Sequence, residues 1–235
     1  MPETASPELT AVSPSRTTLR ILSILVFNFA NYLTIGLPLA ILPGYVHEHL
    51  GYSAFWAGLV ISLQYFATLL SRPYAGRYAD KIGPKKVVMF GLSGCLLSGV
   101  FYLLALWFDA LPALSLGLLC AGRILLGAGQ SFAGTGSTLW GISVVGSLHI
   151  GKVISWSGVV TYGAMAMGAP LGVLIFSIGG LTLLSVCIIV VALAALITAW
   201  RKPPVTGKAS TQIPFRQVLG KILPYGMMLA LASTG

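Results

Sequence analysis

The chain has 235 residues, 56% of them apolar and only 8% charged, with a formal charge of +9. A soluble domain carries roughly 25% charged residues, so the composition excludes an ordinary soluble enzyme and indicates a membrane protein. The cationic excess does not indicate nucleic acid, because no polar domain is large enough to hold it.

Residues 1–18 read as a disordered tail, rich in Pro, Ser, Thr and Glu through residue 15. Six apolar stretches follow, at 20–44, 55–76, 87–108, 113–142, 153–177 and 181–200, each meeting the about 20 residues that a transmembrane helix requires. The first is too long for a signal-peptide core and lacks a small-residue cleavage site, so it is expected to remain in the mature protein. The connections at 47–54, 109–112 and 177–180 are short, which forces antiparallel neighbours. Residues 201–221 have linker composition, and 215–221 could form a short basic surface helix. A seventh apolar stretch at 222–235 is too short to span and reads as a helix cut by the end of the sequence. The expected fold class is an all-α membrane protein. Its six-span bundle occupies 19–200, the start of a seventh helix follows, and together they suggest half of a larger two-half machine.

Lys and Arg alternate with the spans. Arg16 and Arg20 precede the first; Arg77, Lys81, Lys85 and Lys86 separate the second from the third; Lys152 separates the fourth from the fifth; and Arg201, Lys202, Lys208, Arg216 and Lys221 follow the sixth. The intervening connections hold Glu48 and Asp109 and no Lys or Arg. This bias places the amino terminus and the even-numbered connections in the cytoplasm.

Residues 76–86, Gly-Arg-Tyr-Ala-Asp-Lys-Ile-Gly-Pro-Lys-Lys, read as a tight basic loop. One or both of Gly76 and Gly83 are expected to take angles that a Cβ would forbid. Asp80, an acid among cations, suits a latch to a helix N-terminus or to a neighbouring Arg.

Within the spans, Asn28, Asn31 and Tyr32 form one polar stripe, and Gln64, Thr68 and Arg72 another. Such stripes face inward in lipid, either as interhelical hydrogen bonds or as a solute-lining surface. Arg72, nearer the cytoplasmic end, is expected to snorkel to the headgroups. Tyr65, Tyr162, Met165 and Met167 offer adaptable contacts at mid-depth.

Arg123 stands about 15 Å into the fourth span. A buried cation costs on the order of 3 kcal/mol, so it should face the interior or a watery cavity. No acid lies at its depth. Substrate binding, proton coupling or a structural bond to carbonyls all fit it, and Gly127, Gln130 and Gly134 share its face. Gly168 and Gly172 form a small-residue face on the fifth span. With Pro170, and Pro38 and Pro43 on the first span, they read as a hinge or as fixed bends.

Cys95, Cys120 and Cys187 all fall in spans and read as packing residues. His47, Glu48 and His49 are too weak a group for a metal site. No nucleophile–base pair, phosphate loop or zinc spacing is present, so neither an enzyme nor a cofactor is expected.

The 76–86 segment resembles the signature loop of the major facilitator superfamily, through Asp80, Lys81, Gly83, Lys85 and Lys86. Tyr78 stands where an aliphatic residue is usual, and Pro84 follows the second glycine. The resemblance implies a latch between two transporter halves through Asp80, supported by Arg77 and Lys81. Arg123-Ile-Leu-Leu-Gly127-Ala-Gly129-Gln130 resembles the family's fourth-helix motif, which implies a role for Arg123 in proton coupling. Residues 158–172 resemble the glycine–proline motif of drug/proton antiporters, but Gly168-Ala-Pro-Leu-Gly172 displaces Pro170 by one position, which puts export in doubt. Segments 42–46 and 129–140 resemble a bacterial inner-membrane subfamily labelled arabinose-efflux-like.

The implied fold is the amino-terminal bundle of a twelve-span transporter, built from two inverted three-helix repeats. The implied function is proton-coupled export of a small organic solute by alternating access, with Asn28, Asn31, Tyr32, Gln64, Thr68, Gln130 and Tyr162 lining the cavity. Its partners would be the solute, protons, the lipid bilayer and a carboxy-terminal half. Solute uptake and a non-transporting membrane scaffold are the alternatives.

Overall fold

The computed structural model describes residues 14–204. The expected tail up to residue 13, the linker beyond 204, the basic surface helix and the seventh span all lie outside these residues. Five long apolar helices dominate: α1 (Pro14–Leu39), α3 (Ala54–Ile82), α4 (Pro84–Trp107), α5 (Pro112–Val145) and α6 (Ile150–Arg201). A short α2 (Leu42–Gly44) and a π-helical turn (Tyr45–His49) follow α1, and a 3-10 turn (Ser147–His149) precedes α6. Residues 14–18, expected in the tail, are already helical.

At 1.5 Å per residue an unbroken α6 would run about 78 Å, against a hydrocarbon core of about 30 Å. It does not run straight. Gly179 and Gly180 leave helical geometry, Gly180 with φ +62°, a conformation open to glycine at no steric cost. The resulting arms, 150–178 and 181–201, return to the same end of the molecule. Val153 packs with Ile21 and Leu25 of α1, and the Lys202 ammonium donates to the Ser23 carbonyl oxygen at 2.7 Å. The chain therefore crosses the bundle six times.

Close approaches show how the six segments pair. Gly168 on the first arm of α6 meets Gly36 on α1, and Gly127 on α5 meets Gln64 on α3. Gly91 on α4 meets Ala133 on α5, and Ile35 on α1 packs with Ala192 on the second arm. Gly99 on α4 meets Ile189 on the second arm. Exchanging the first three crossings for the last three, in order, carries this set of pairings onto itself, the pattern of two three-helix repeats.

One core cluster closes the acidic end, with Leu42, Val46, Val60, Tyr102, Leu119 and Leu184. Another lies toward the basic end, where Phe27 stacks on Trp140 at 5.5 Å between ring centres.

The basic 76–86 segment is helix rather than loop. α3 continues through Ile82, and Pro84 opens α4 at its first position, where its missing N–H costs nothing. Gly83 alone makes the turn, at φ +89°; Gly76 sits inside α3. The turn therefore needs one of the two glycines. His47, Glu48 and His49 likewise belong to the π-helical turn and not to an open loop.

Candidate functional site

A cavity of about 360 Å3 opens between α1, α3, α5 and the first arm of α6. Asn28 and Tyr32 reach it from α1, Arg72 from α3, and Gln130, Ser131 and Thr138 from α5, with Ser157 and Thr161 from α6. The spacing on each helix accounts for this: Ser157 and Thr161 are one turn apart, as are Asn28 and Tyr32 and, on α5, Gln130, Gly134 and Thr138. The wall carries amides and hydroxyls and one charged side chain, Arg72, which makes no hydrogen bond or ion pair among the described residues.

Asn28 is fixed by its amide, which donates to Thr161 Oγ1 at 2.9 Å and Ser157 Oγ at 3.4 Å. Thr138 and Ser157 share a hydrogen bond at 3.2 Å. Asn28 Oδ1 and Ser131 Oγ are buried and have no hydrogen-bond partner among the described residues. Such acceptors and donors on a cavity wall are costly unless a solute or water meets them.

The polar stripes are divided between wall and packing. Asn28, Tyr32 and Gln130 line the cavity. Asn31, Gln64 and Thr68 do not; they lie between helices. Gln64 Nε2 donates to Gln130 Oε1 at 2.9 Å, and the Thr68 hydroxyl reaches the same oxygen at 3.1 Å and the Gly127 carbonyl at 3.0 Å. Asn31 donates to the Gln130 carbonyl and accepts from Cys95 Sγ. The physical reason is Gly127: a Cβ there would lie 2.1 Å from the Gln64 carbonyl oxygen, so α3 and α5 close directly over these side chains. Tyr162 is 74% exposed and off the cavity wall, turned about 100° from Thr161. Arg72 is exposed and lines the cavity.

Arg123 is fully buried, and its three guanidinium nitrogens lack a hydrogen-bond partner among the described residues. It stands one turn from Gly127 on the same face, about 16 Å from Pro112. The described acids Glu48, Asp80 and Asp109 all lie at helix ends or in connections.

At the basic end, Gly76, Arg77, Asp80, Lys81 and Gly83 close α3, and Lys86 opens α4. Asp80, Arg77, Lys81 and Lys86 make no hydrogen bond or ion pair among the described residues. Lys85 differs, since its ammonium donates to the carbonyls of Trp200 and Lys202. It thereby holds the carboxyl end of α6, where a cation is favoured. No sequence pattern marks this tie, because its acceptors are backbone atoms 115 and 117 positions away. Burial draws the Lys202 ammonium below its ordinary pKa.

Gly168 and Gly172 press α6 against α1. A Cβ at Gly168 would meet Gly36 Cα at 2.8 Å, and one at Gly172 would meet the Leu37 carbonyl oxygen at 2.0 Å. Pro170 is exposed on the other side, and α6 keeps helical dihedrals through it. At the acidic end, Asp109 accepts from Tyr45 Oη at 3.1 Å and pairs with His49 at 2.7 Å. The His49 hydrogen bond holds the Asp109 carboxyl below its ordinary pKa. His47 turns instead to the Tyr52 carbonyl.

Residues 24–235 match the family model described as Major Facilitator Superfamily. Similar curated proteins include those described as "Uncharacterized MFS-type transporter YhhS" from Escherichia coli (strain K12), 65% identical, and Salmonella typhi, 64% identical, each over 236 residues. The alignments cover 100% of this chain, and the chain spans 58% of the length of these relatives.

Proposed function

The chain belongs to the major facilitator superfamily, and on that premise we propose that it forms one half of a secondary transporter for a small polar organic solute. The observation that carries this reading is the cavity itself: amides and hydroxyls from three helices with Arg72 from a fourth, gathered on one wall within a largely apolar bundle. Polar groups at membrane depth are retained where they meet a solute, an ion or water. A half-site with one cation and no acid on its described wall favours solutes rich in acceptors, including anions.

The cycle is alternating access, with the solute held at mid-depth while one half rocks against the other. Asn28, Tyr32, Gln130 and Arg72 bind the solute. Gln64, Thr68 and Asn31 hold the helices that present them. Gly168 and Gly172 let α6 slide or bend on α1, and Asp80 latches the basic ends of the halves, with Arg77 and Lys81 beside it as supporting cations. Arg123 acts on coupling by favouring the ionised form of a carboxylate supplied outside the described residues, so that protonation of that acid becomes part of the cycle. The membrane is a bacterial inner membrane with the basic end on its cytoplasmic side, a reading supported by the excess of Lys and Arg at that end. Proton-coupled export is the leading direction. Uptake is the rival, and the displaced Pro170 weakens the case for export over it.

The test uses proteoliposomes of a chain with the relatives' full length, containing a pH-reporting dye and a panel of sugars, organic acids and amines. Solute-dependent proton movement that is lost in Arg72→Gln and Arg123→Gln, with both variants still folded, supports the reading. Absence of any solute-dependent proton or solute flux across the panel rejects it.

A further inference from the structure

On the side of α5 away from the polar cavity, α3, α4 and α5 enclose an apolar groove of about 630 Å3. Its walls are Tyr74, Tyr78, Phe90, Leu97, Leu125 and Phe132, and Tyr78 lies 6.0 Å from Phe132 between ring centres. Gly94 and Gly129 form the floor. A Cβ on Gly129 would stand 2.7 Å from the Gly91 carbonyl oxygen, so α4 and α5 touch backbone to backbone and leave a trough beneath an aromatic rim.

We propose that this groove binds an acyl chain of an anionic phospholipid, whose phosphate sits between Lys81 and Lys86. Three features converge on that occupant. The first is charge. On α3, Lys81 follows Tyr78 by one turn on the groove side; on α4, Lys86 precedes Phe90 by one turn. Both are exposed and have no partner among the described residues, so the groove ends at two unneutralised ammonium groups. Asp80, the neighbouring acid, points about 120° around α3 from Tyr74.

The second is length. From Lys86 to Leu97 α4 rises about 16 Å, close to one leaflet of a hydrocarbon core of about 30 Å. The third is position. The polar stripe of α3 (Gln64, Thr68, Arg72) and the cavity face of α5 both turn away from the groove, so a partner half seated over the polar cavity leaves the groove to lipid. Tyr74 and Tyr78 place amphipathic rings near the headgroup level, where tyrosine is favoured.

The experiment is native mass spectrometry of the delipidated chain in detergent, titrated with dioleoyl phosphatidylglycerol, dioleoyl phosphatidylcholine or inorganic phosphate. The proposal expects phosphatidylglycerol to be retained roughly tenfold better than phosphatidylcholine, with the preference falling to near unity in Lys81→Gln/Lys86→Gln. Arg16→Gln/Arg20→Gln removes two exposed cations from the same end and should keep the preference. Ser93→Trp fills the groove and should release both lipids while the protein keeps its helical circular dichroism. Retention of the preference in Lys81→Gln/Lys86→Gln overturns the proposal. So does an equal loss in Arg16→Gln/Arg20→Gln, unchanged lipid retention in folded Ser93→Trp, or binding of phosphate alone as tight as that of the lipid.

Discussion

Replacing Gly172 by alanine tests the contact between α1 and α6 with a single methyl group. The added Cβ would stand 2.0 Å from the Leu37 carbonyl oxygen, where ordinary contact begins at 3.4 Å. The obstacle is backbone, so no side chain can rotate away, and the helices must part by roughly 1.4 Å. Parting them undoes the Gly36–Gly168 approach one turn away. Overpacking of this kind costs about 1–3 kcal/mol. Gly163→Ala is the control, on the same arm with nothing within 4 Å of its Cβ; there alanine gains up to about 1 kcal/mol of helix propensity. The two variants should move in opposite directions in denaturant unfolding of the detergent-solubilised protein. Equal stability of Gly172→Ala and wild type would refute the close contact, and destabilisation by Gly163→Ala of the same size would refute its specificity.

Gly83→Ala should destabilise by about 1–3 kcal/mol, because its φ of +89° with ψ of 150° belongs to glycine, whereas Gly76→Ala should be neutral or stabilising; thermal unfolding of the pair checks which glycine makes the turn. Gln130→Leu removes the acceptor shared by Gln64 and Thr68 and should cost about 0.6–2 kcal/mol, read as a lower unfolding midpoint in the same assay. The depressed Asp109 pKa means that the carboxylate's contribution is complete above its ordinary value of 3.8 and is lost as pH falls through the lower folded value. The pair is partly exposed, so screening limits it to at most about 1 kcal/mol. Asp109→Asn should therefore lower stability at neutral pH and match wild type at the acid end of a pH series of melting curves.

Much of the fold was legible because membrane insertion writes itself into local composition. Apolar runs and alternating cations located the crossings, and Gly179–Gly180 fell where the fifth run met the sixth. What the sequence could not show was which polar side chains meet one another. Gln64 and Thr68 share a stripe with Arg72, yet only Arg72 reaches the cavity, because Gly127 lets α5 close over the other two. The one-turn spacing of Ser157 and Thr161 could have marked them as cavity residues; with Thr138, they are two small hydroxyl residues and a neighbour among many. The basic segment read as a loop because charge masks helix periodicity there, and the close of α3 depends on Gly83 alone. Tyr162 lies at cavity depth, but depth does not fix direction around the helix, and its side chain is exposed.

Thiol accessibility tests most directly whether water reaches the polar face of the bundle. Thr135 on the cavity wall and Ile124 on an exposed face of α5 can each be changed to cysteine after Cys95, Cys120 and Cys187 are replaced by alanine. A membrane-impermeant maleimide reacts with thiolate, which forms in water and not in lipid. In liposomes the Thr135→Cys thiol should be labelled at least about tenfold faster than the Ile124→Cys thiol; equal, slow labelling of both would mean that no water reaches the polar face.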